Sequence, residues 1–120
     1  MKKILIVDDS STNVVLLEAV LNNRGYDIQT SMNVKEAYSI LAQELPALIL
    51  LDLLMPQISG YQFLDQIKHD EKTKNIPVII VSAVTDAMNI KKTLDMGAVD
   101  YIEKPVDIKE LINKVEKTLN

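Results

Sequence analysis

The chain has 120 residues, of which 48% are apolar, and it contains no cysteine. This is the size of one domain with enough apolar residues for a core, and the lack of cysteine excludes disulfide bonds and thiol chemistry. The net charge of -4 and the single arginine, Arg24, exclude the basic surface that nucleic-acid binding requires, so we expect no direct nucleic-acid partner.

The amino terminus is basic, like the start of a secretion signal, but its apolar stretch is too short for one. This stretch begins after Met1-Lys2-Lys3 and already ends at Asp8. No segment of the sequence approaches the roughly 18 apolar residues that a membrane helix needs. We therefore expect a cytoplasmic protein without a membrane partner.

Five apolar runs alternate with five helical patterns along the chain. We predict strands at positions 3–8, 26–31, 47–52, 77–82 and 99–102. Apolar residues at helical spacing follow each strand: Val14, Leu17 and Leu21; Val34, Ala37 and Leu41; Phe63, Leu64 and Ile67; Ile90 and Leu94; Ile108, Leu111, Ile112, Val115 and Leu119. This alternation is typical of βαβ units, so the sequence predicts a doubly wound α/β fold around a five-stranded parallel sheet.

Glycine and proline residues mark the ends of these predicted elements. Gly25 and Gly97 stand where helices end and where a positive φ is needed. The prolines fall in connections or at a strand start: Pro46, Pro56, Pro77 and Pro105. The fourth helical pattern, near 87–96, has only two main apolar anchors. We expect that helix to be held less firmly, as elements that switch conformation usually are.

Three aspartates stand at the carboxyl ends of two predicted strands. Asp8 and Asp9 come at the end of the first strand, and Asp52 ends the third. In a parallel sheet these strand ends share the edge at which α/β proteins bind ligands. Two carboxylates about 4 Å apart repel by roughly 4 kcal/mol at an effective dielectric of 20, so the group needs a cation, raised pKa values or wide spacing. Mg²⁺, which prefers oxygen ligands and often binds phosphate too, is the simplest partner.

Two further polar residues are expected at the same edge, since Ser82 ends the fourth strand and Lys104 follows the fifth. Each residue alone has an ordinary explanation. The first two aspartates could cap a helix, Ser82 could be a capping hydroxyl, and Lys104 could be a solvated lysine. Asp52 is harder to explain in this way, because an unpaired charge at the mouth of a buried strand is costly. The coincidence predicts a site in which one magnesium ion and one ammonium group balance three carboxylates.

These residues resemble the receiver domain of two-component response regulators. The resemblance extends over the whole chain and rests on Asp8-Asp9, on Asp52-Leu-Leu-Met-Pro56 with Gly60, on Val78-Ile-Ile-Val-Ser82-Ala83, and on Gly97-Ala-Val-Asp-Tyr-Ile-Glu-Lys104-Pro105. It implies a flavodoxin-like, CheY-like fold with strand order 2-1-3-4-5, which is taken over from the family. Because the chain ends after the last helix, we expect a single receiver domain over residues 1–120 with no output domain.

The resemblance also implies how a phosphoryl group would reach the site. Asp52 would accept it from a phosphohistidine on a sensor histidine kinase or a histidine phosphotransfer protein. Mg²⁺ would be bound directly by Asp9, by Asp52 and by the backbone carbonyl of Leu54. Asp8 would contribute through an ordered water. The chain would act as a phosphoacceptor that assists its own phosphorylation and dephosphorylation, and not as an enzyme on other substrates.

The phosphoryl oxygens would, by the same resemblance, be bound by Lys104, by the Ser82 hydroxyl and by the Ala83 amide. The Lys104–Pro105 peptide bond would be cis. Phosphorylation would draw Ser82 toward the site, and Tyr101 would then turn inward as a second switch residue. This would reshape the face formed by the fourth helix, fifth strand and fifth helix, to which a downstream effector protein would bind.

Apolar residues stand at two positions that are polar in other versions of the family pattern. Leu54 and Val84 border the expected phosphoryl group and cannot orient an attacking water, so we expect the acyl phosphate to hydrolyse slowly. Val99 replaces an acid that is common in its segment, and the last helix has no arginine. The charged dimer interface of DNA-binding regulators is therefore not expected, which leaves a monomer or a weak dimer.

Other functions fit the sequence less well. A magnesium-dependent phosphatase with Asp52 as nucleophile would usually carry a second aspartate two positions later, where this chain has Leu54. A binding module that keeps the fold without phosphorylation commonly lacks an acid or the lysine, and here all are present. Nucleotide or flavin binding is disfavoured because the three glycines form no glycine-rich loop.

Overall fold

The computed structural model describes residues 2–55 and 59–120, and within these ranges five strands alternate with five helices. The strands are β1 Lys3–Val7, β2 Asp27–Ser31, β3 Leu48–Leu51, β4 Val78–Ser82 and β5 Asp100–Glu103. The helices are α1 Ser11–Asn23, α2 Val34–Gln43, α3 Gly60–His69, α4 Ala87–Asp95 and α5 Ile108–Leu119. Each predicted strand boundary lies within one residue of the observed one.

The strands form one sheet in the order β2-β1-β3-β4-β5, and every neighbouring pair is parallel. Both the predicted fold class and the strand order are confirmed. The residues of β3 and β4 are all buried, because helices cover both faces of the sheet at its centre. This explains why these strands are continuous apolar runs and not alternating ones.

Alternate residues of β1 face two separate layers of the core. Ile4 and Ile6 pack with the inner residues of α1 and α5. Leu5 and Val7 pack with those of α2 and α3 on the other side. The predicted inner residues of the first three helices are all buried: Val14, Leu17, Leu21, Val34, Ala37, Leu41, Phe63, Leu64 and Ile67.

For α5, the sequence predicts two more inner residues than the structure buries. Leu111, Val115 and Leu119 are buried, whereas Ile108 is 44% exposed and Ile112 is only partly buried. Ile108 is the first residue of the helix. Apolar spacing gives the direction of a helix face but not how much of it the sheet covers.

The prediction for α4 is half correct. Ile90 packs partly against the core, but the expected second anchor, Leu94, is 42% exposed. The one fully buried residue of this helix is Thr93, whose hydroxyl donates a 2.9 Å hydrogen bond to the Ile90 carbonyl. With so little apolar burial, the helix has the shallow attachment that the sequence predicts.

The turn predictions are confirmed where they can be compared. Gly25 and Gly97 have φ angles of 92° and 115°, which side chains with a Cβ rarely adopt. Pro56 lies outside the described residues. No helix in the described part of the chain is both long and apolar enough to cross a membrane.

Candidate functional site

The predicted acidic residues converge at the carboxyl edge of the sheet. The β1–β3 ladder pairs Val7 with Leu51, and the Asp52 amide continues it with a 2.9 Å bond to the Val7 carbonyl. This pairing places Asp8 beside Asp52. One carboxylate oxygen from each of Asp8, Asp9 and Asp52 lies within 4.8 Å of the others. Of the three, Asp9 is exposed and the other two are buried.

The carboxylate of Asp8 is held by three donors, two from the start of α1 and one from the residue after β5. Its Oδ1 atom accepts a 2.9 Å hydrogen bond from the Ser10 amide. Its Oδ2 atom accepts a 2.7 Å bond from Asn13 Nδ2 and lies 3.0 Å from Lys104 Nζ. Asn13 is the residue that the sequence predictions missed. The available signal was an amide side chain in the first turn of the helix that follows two aspartates.

The carboxylate of Asp52 is only 4% exposed and has fewer donors than that of Asp8. Oδ1 accepts a 3.2 Å hydrogen bond from the Leu54 amide, and Oδ2 lies 3.2 Å from Lys104 Nζ. Burial is the largest influence and raises the pKa of Asp52; the nearby charge of Asp8 adds to this, while the Leu54 amide and Lys104 act against it. The site therefore holds excess negative charge, which a cation would relieve.

Lys104 connects the two buried carboxylates. Burial by itself lowers the pKa of the Lys104 ammonium, but hydrogen bonds and charges from Asp8 and Asp52 outweigh it, so the net pKa is raised. The Lys104 amide donates a 2.9 Å bond to the Ser82 carbonyl, which extends the β4–β5 ladder by one residue beyond the end of β5. The Lys104–Pro105 peptide bond is cis, the geometry that the family resemblance implies. The lysine is thus fixed at the backbone while its ammonium reaches the acids.

Ser82 and Tyr101 lie next to each other on neighbouring strands. Ser82 is fully buried at the end of β4, and its Oγ atom accepts a weak 3.4 Å bond from the Val84 amide. Tyr101 is 6% exposed, and its hydroxyl donates to the Val84 carbonyl. Burial raises the pKa of the Tyr101 hydroxyl, and the nearby Ser82 hydroxyl partly offsets this. Val84, in the loop after β4, is therefore bound to both Ser82 and Tyr101, while Ala83, between Ser82 and Val84 in the chain, is exposed.

Gly60 allows α3 to begin directly beside Asp52. A Cβ at this position would lie 2.3 Å from the Asp52 carbonyl oxygen and 2.6 Å from Leu53 Cα, too close for any other residue. The helix start is stabilised by a capping box between Ser59 and Gln62. Leu54, whose carbonyl is a predicted ion ligand, has a 55% exposed side chain at the mouth of the site.

The donor set fits a hard cation such as Mg²⁺. Carboxylate and carbonyl oxygens are its preferred ligands. The 4.8 Å limit on the carboxylate oxygens is only slightly wider than the roughly 4.2 Å between opposite ligands of an octahedral ion with bonds of about 2.1 Å. A small inward movement, or a water between Asp8 and the ion, closes this difference.

Comparison with known proteins agrees with the fold and shows the family of the chain. The family model "Response regulator receiver domain" matches residues 4–116, and the chain belongs to this family. It is similar to protein PilH of Pseudomonas aeruginosa, with 35% identity over 119 residues that cover 99% of this chain and 98% of PilH. The chain is therefore a receiver domain of two-component signalling.

Other curated relatives are longer proteins. Response regulator PleD of Caulobacter vibrioides is 38% identical over 105 residues, which are 88% of this chain but only 23% of PleD. Among the curated relatives that are longer, this chain spans about a quarter to a half of the length.

Solved structures give the same result. The receiver domain of a signal transduction histidine kinase from Syntrophus aciditrophicus superposes with a TM-score of 0.90 at 34% identity, over 99% of this chain and 90% of that one. Chemotaxis protein CheY4 of Vibrio cholerae superposes with a TM-score of 0.92 at 24% identity, over 99% of both chains, which supports the fold alone.

Proposed function

We propose that this receiver domain accepts a phosphoryl group on Asp52 from a phosphohistidine in a magnesium-dependent reaction. One observation carries the proposal: the carboxylates of Asp8, Asp9 and Asp52 converge, and Lys104 Nζ lies 3.2 Å from Asp52. This brings an oxygen nucleophile, ligands for a hard cation and a fixed positive charge to one point. Positioning and charge neutralisation are the main requirements of phosphoryl transfer.

In the proposed step, a carboxylate oxygen of Asp52 attacks the phosphorus atom of the donor. The P–O bond to Asp52 forms while the P–N bond to the donor imidazole breaks, in line with the attack. The imidazole leaves with the bonding electrons and takes up a proton from solvent. The contact between Lys104 and Asp52 Oδ2 supports the ionised carboxylate that this attack needs.

Magnesium would be held by Asp9, by Asp52 and by the Leu54 carbonyl, with Asp8 acting through a water. When bound, the ion neutralises phosphoryl charge and draws donor and acceptor together. Asp9 is exposed, so an incoming phosphoryl group would reach the three carboxylates from the solvent side of that residue. The same solvent side would admit water for the later hydrolysis, which the receiver would assist only weakly.

The phosphoryl oxygens would be bound by three groups of this chain. Lys104 would turn from the carboxylates to the new phosphoryl oxygens, the Ser82 hydroxyl would donate to one of them, and the Ala83 amide to another. Ser82 is suited to this because its present hydrogen bond from the Val84 amide uses only an acceptor site of Oγ. Its hydroxyl proton is therefore available to a phosphoryl oxygen.

The switch would pass from Ser82 to the face formed by α4, β5 and α5. Tyr101 is already turned inward, with its hydroxyl on the Val84 carbonyl. Movement of Ser82 toward a phosphoryl group would change this loop and fix the tyrosine in that position. A downstream effector would recognise the resulting face. The proposed donor, a histidine kinase or phosphotransfer protein, works in the cytoplasm, and we propose that location for this chain.

The test is a phosphorylation assay read by intact mass. Wild-type protein is incubated with Mg²⁺ and acetyl phosphate beside Asp52→Asn and a matched control, Asp65→Asn, which changes an exposed aspartate on α3. A single phosphoryl adduct is expected on the wild type and the control, and none on Asp52→Asn. An adduct on Asp52→Asn, or no adduct on the wild type with Mg²⁺ present, would contradict the proposal. Steady phosphate release from unrelated esters would instead indicate a phosphatase.

A further inference from the structure

Asn13 makes the shortest polar contact in the acidic site, although the proposed phosphoryl chemistry assigns it no role. Its Nδ2 atom lies 2.7 Å from Asp8 Oδ2, compared with 3.0 Å for Lys104 Nζ at the same oxygen. A hydrogen bond from a neutral amide to a buried carboxylate is charge-assisted and stronger than an ordinary one. The short length of this hydrogen bond and the burial of Asp8 indicate that Asn13 has a function in the site.

We propose that Asn13 is a positioning residue that holds the Asp8 carboxylate in its ion-binding orientation and keeps it hydrogen-bonded when Lys104 turns to the phosphoryl group. The inference rests on the proposed function, because it assumes that Asp8 serves a magnesium ion. Asn13 would touch neither the ion nor the phosphoryl group and would act only through Asp8.

The donors around Asp8 leave one acceptor site of its carboxylate free. Asp8 is 2% exposed, so its charge depends on protein donors instead of bulk water. The Ser10 amide, Asn13 Nδ2 and Lys104 Nζ provide three donors, and a carboxylate has about four acceptor sites. One site therefore remains for the water that would join Asp8 to the ion. Together, the three donors determine the direction of this remaining acceptor site on the Asp8 carboxylate.

Lys104 is shared between two carboxylates, whereas Asn13 serves only one. The Lys104 ammonium contacts Asp8 and Asp52 at once, so its transfer to a phosphoryl oxygen would remove a donor from Asp8. Asn13 does not move with Lys104, because it belongs to the first turn of α1. That turn is capped by the Ser10 side chain, which accepts a hydrogen bond from the Asn13 amide. Asp8 would thus keep two donors from one rigid segment throughout the cycle.

Asn13→Ala tests the inference through ion affinity, without any measurement of phosphorylation. Loss of a residue that orients a metal-binding side chain typically costs 10–100-fold in affinity, so we expect the Mg²⁺ dissociation constant to rise by about 10-fold. Calorimetry measures it for Mg²⁺, and paramagnetic resonance of the free ion measures it for Mn²⁺, which takes the same oxygen ligands. Asn22→Ala, an exposed asparagine on the same helix, is the control and should stay within about twofold of the wild type.

A double-mutant cycle separates positioning from a general structural role. In the Asp8→Asn background we expect Asn13→Ala to change affinity by less than about twofold, because the residue through which it acts is already altered. Asn13→Leu, which keeps a similar volume without a donor, should behave like Asn13→Ala, and circular dichroism checks that all variants are folded. An equal loss in both backgrounds overturns the inference, as does unchanged affinity of Asn13→Ala while the wild type binds the ion. Absence of binding by the wild type itself overturns the proposed cofactor as well.

Discussion

The helices α4 and α5 lie on either side of β5, but they are attached in different ways. Helix α5 buries Leu111, Val115 and Leu119 in the core. Helix α4, all of which the structure describes, has Thr93 as its one fully buried residue. This difference in apolar burial indicates which helix can change position. Apolar burial holds α5 in place, whereas α4 can shift with little loss of buried apolar surface.

Polar contacts take the place of apolar burial in holding α4. The hydroxyl of Tyr61, near the start of α3, donates a 3.0 Å bond to Asn89 Oδ1, and Asn89 Nδ2 contacts both oxygens of Asp86. Lys92 Nζ lies 4.8 Å from the centre of the Tyr61 ring, a cation–π contact. Contacts of this kind can be exchanged for water, so they hold α4 without fixing it.

The largest expected effect on stability comes from α5, the helix with more buried apolar side chains. Leu111→Ala removes a fully buried side chain from α5 and should lower the free energy of unfolding by about 3 kcal/mol. Ile90→Ala in α4 removes a partly buried side chain and should cost about 1 kcal/mol. Urea denaturation of both variants measures the difference. Equal losses would mean that α4 is anchored as firmly as α5.

A smaller effect, of opposite sign, concerns the buried charge of Asp52 at the carboxyl edge of the sheet. Burial raises the pKa of Asp52 above 3.8, so the folded state binds more protons than the unfolded state between these two values. Wild-type stability should therefore fall as the pH rises through that interval, and Asp52→Asn should lack this fall. Because Asp52→Asn removes a buried charge that the neighbouring carboxylates repel, we expect the variant to be more stable by about 1 kcal/mol in metal-free buffer at neutral pH.

The control for this prediction is added magnesium. An ion that binds only the folded state stabilises it, so Mg²⁺ should stabilise the wild type more than Asp52→Asn. Thermal unfolding with and without the ion measures both effects. A variant less stable than the wild type in metal-free buffer would mean that the contact with Lys104 outweighs the cost of burying the Asp52 charge.

A smaller, local effect is expected in α4, the helix with less apolar burial. Tyr61→Phe keeps the ring beneath Lys92 but removes the hydrogen bond to Asn89, at a cost of about 0.5–1 kcal/mol. Amide hydrogen exchange should become faster in α4 while α5 keeps its protection. Equal acceleration in both helices would show that the bond supports the whole domain and not α4 in particular.

The last prediction concerns the lifetime of the phosphoryl group, for which residues at positions 54 and 84 are changed. Leu54 is exposed at the mouth of the site, and Val84 lies in the loop that leads into α4. Leu54→Asn alone, at an exposed position, should change stability by less than about 0.5 kcal/mol. Val84 packs partly against the core, so the double variant with Val84→Glu serves to measure phosphoryl lifetime and not stability. The polar side chains should speed hydrolysis of the aspartyl phosphate by about tenfold by orienting water. The decay of the phosphorylated protein measures this, and a faster wild type would contradict it.

Sequence reasoning succeeded where chain topology decides the outcome. Asp8 and Asp52 end adjacent parallel strands, so their proximity follows from the strand pattern before any side chain is placed. Lys104 enters in the same way, since its amide extends the β4–β5 ladder to Ser82. For these residues the fold determines the position, and local detail changes it little.

Sequence reasoning failed where the outcome depends on the position of one helix. Leu94 has the right spacing to face the core, yet α4 lies so that the smaller Thr93 is buried instead. The contact of Asn13 with Asp8 spans five residues across a turn whose shape is set by the Ser10 cap. Neither result follows from periodicity, because each depends on a rotation or a turn that the apolar pattern leaves free.

The connection from α3 to β4 lies at the amino edge of the sheet, opposite Asp52. Within it Glu71 and Lys72 are exposed, and a strand of five residues, about 17 Å long, separates this connection from the site. A fluorophore or a surface tether attached there would leave the phosphoacceptor open to its donor. The topology therefore provides an attachment site for single-molecule measurements of phosphorylation and dephosphorylation.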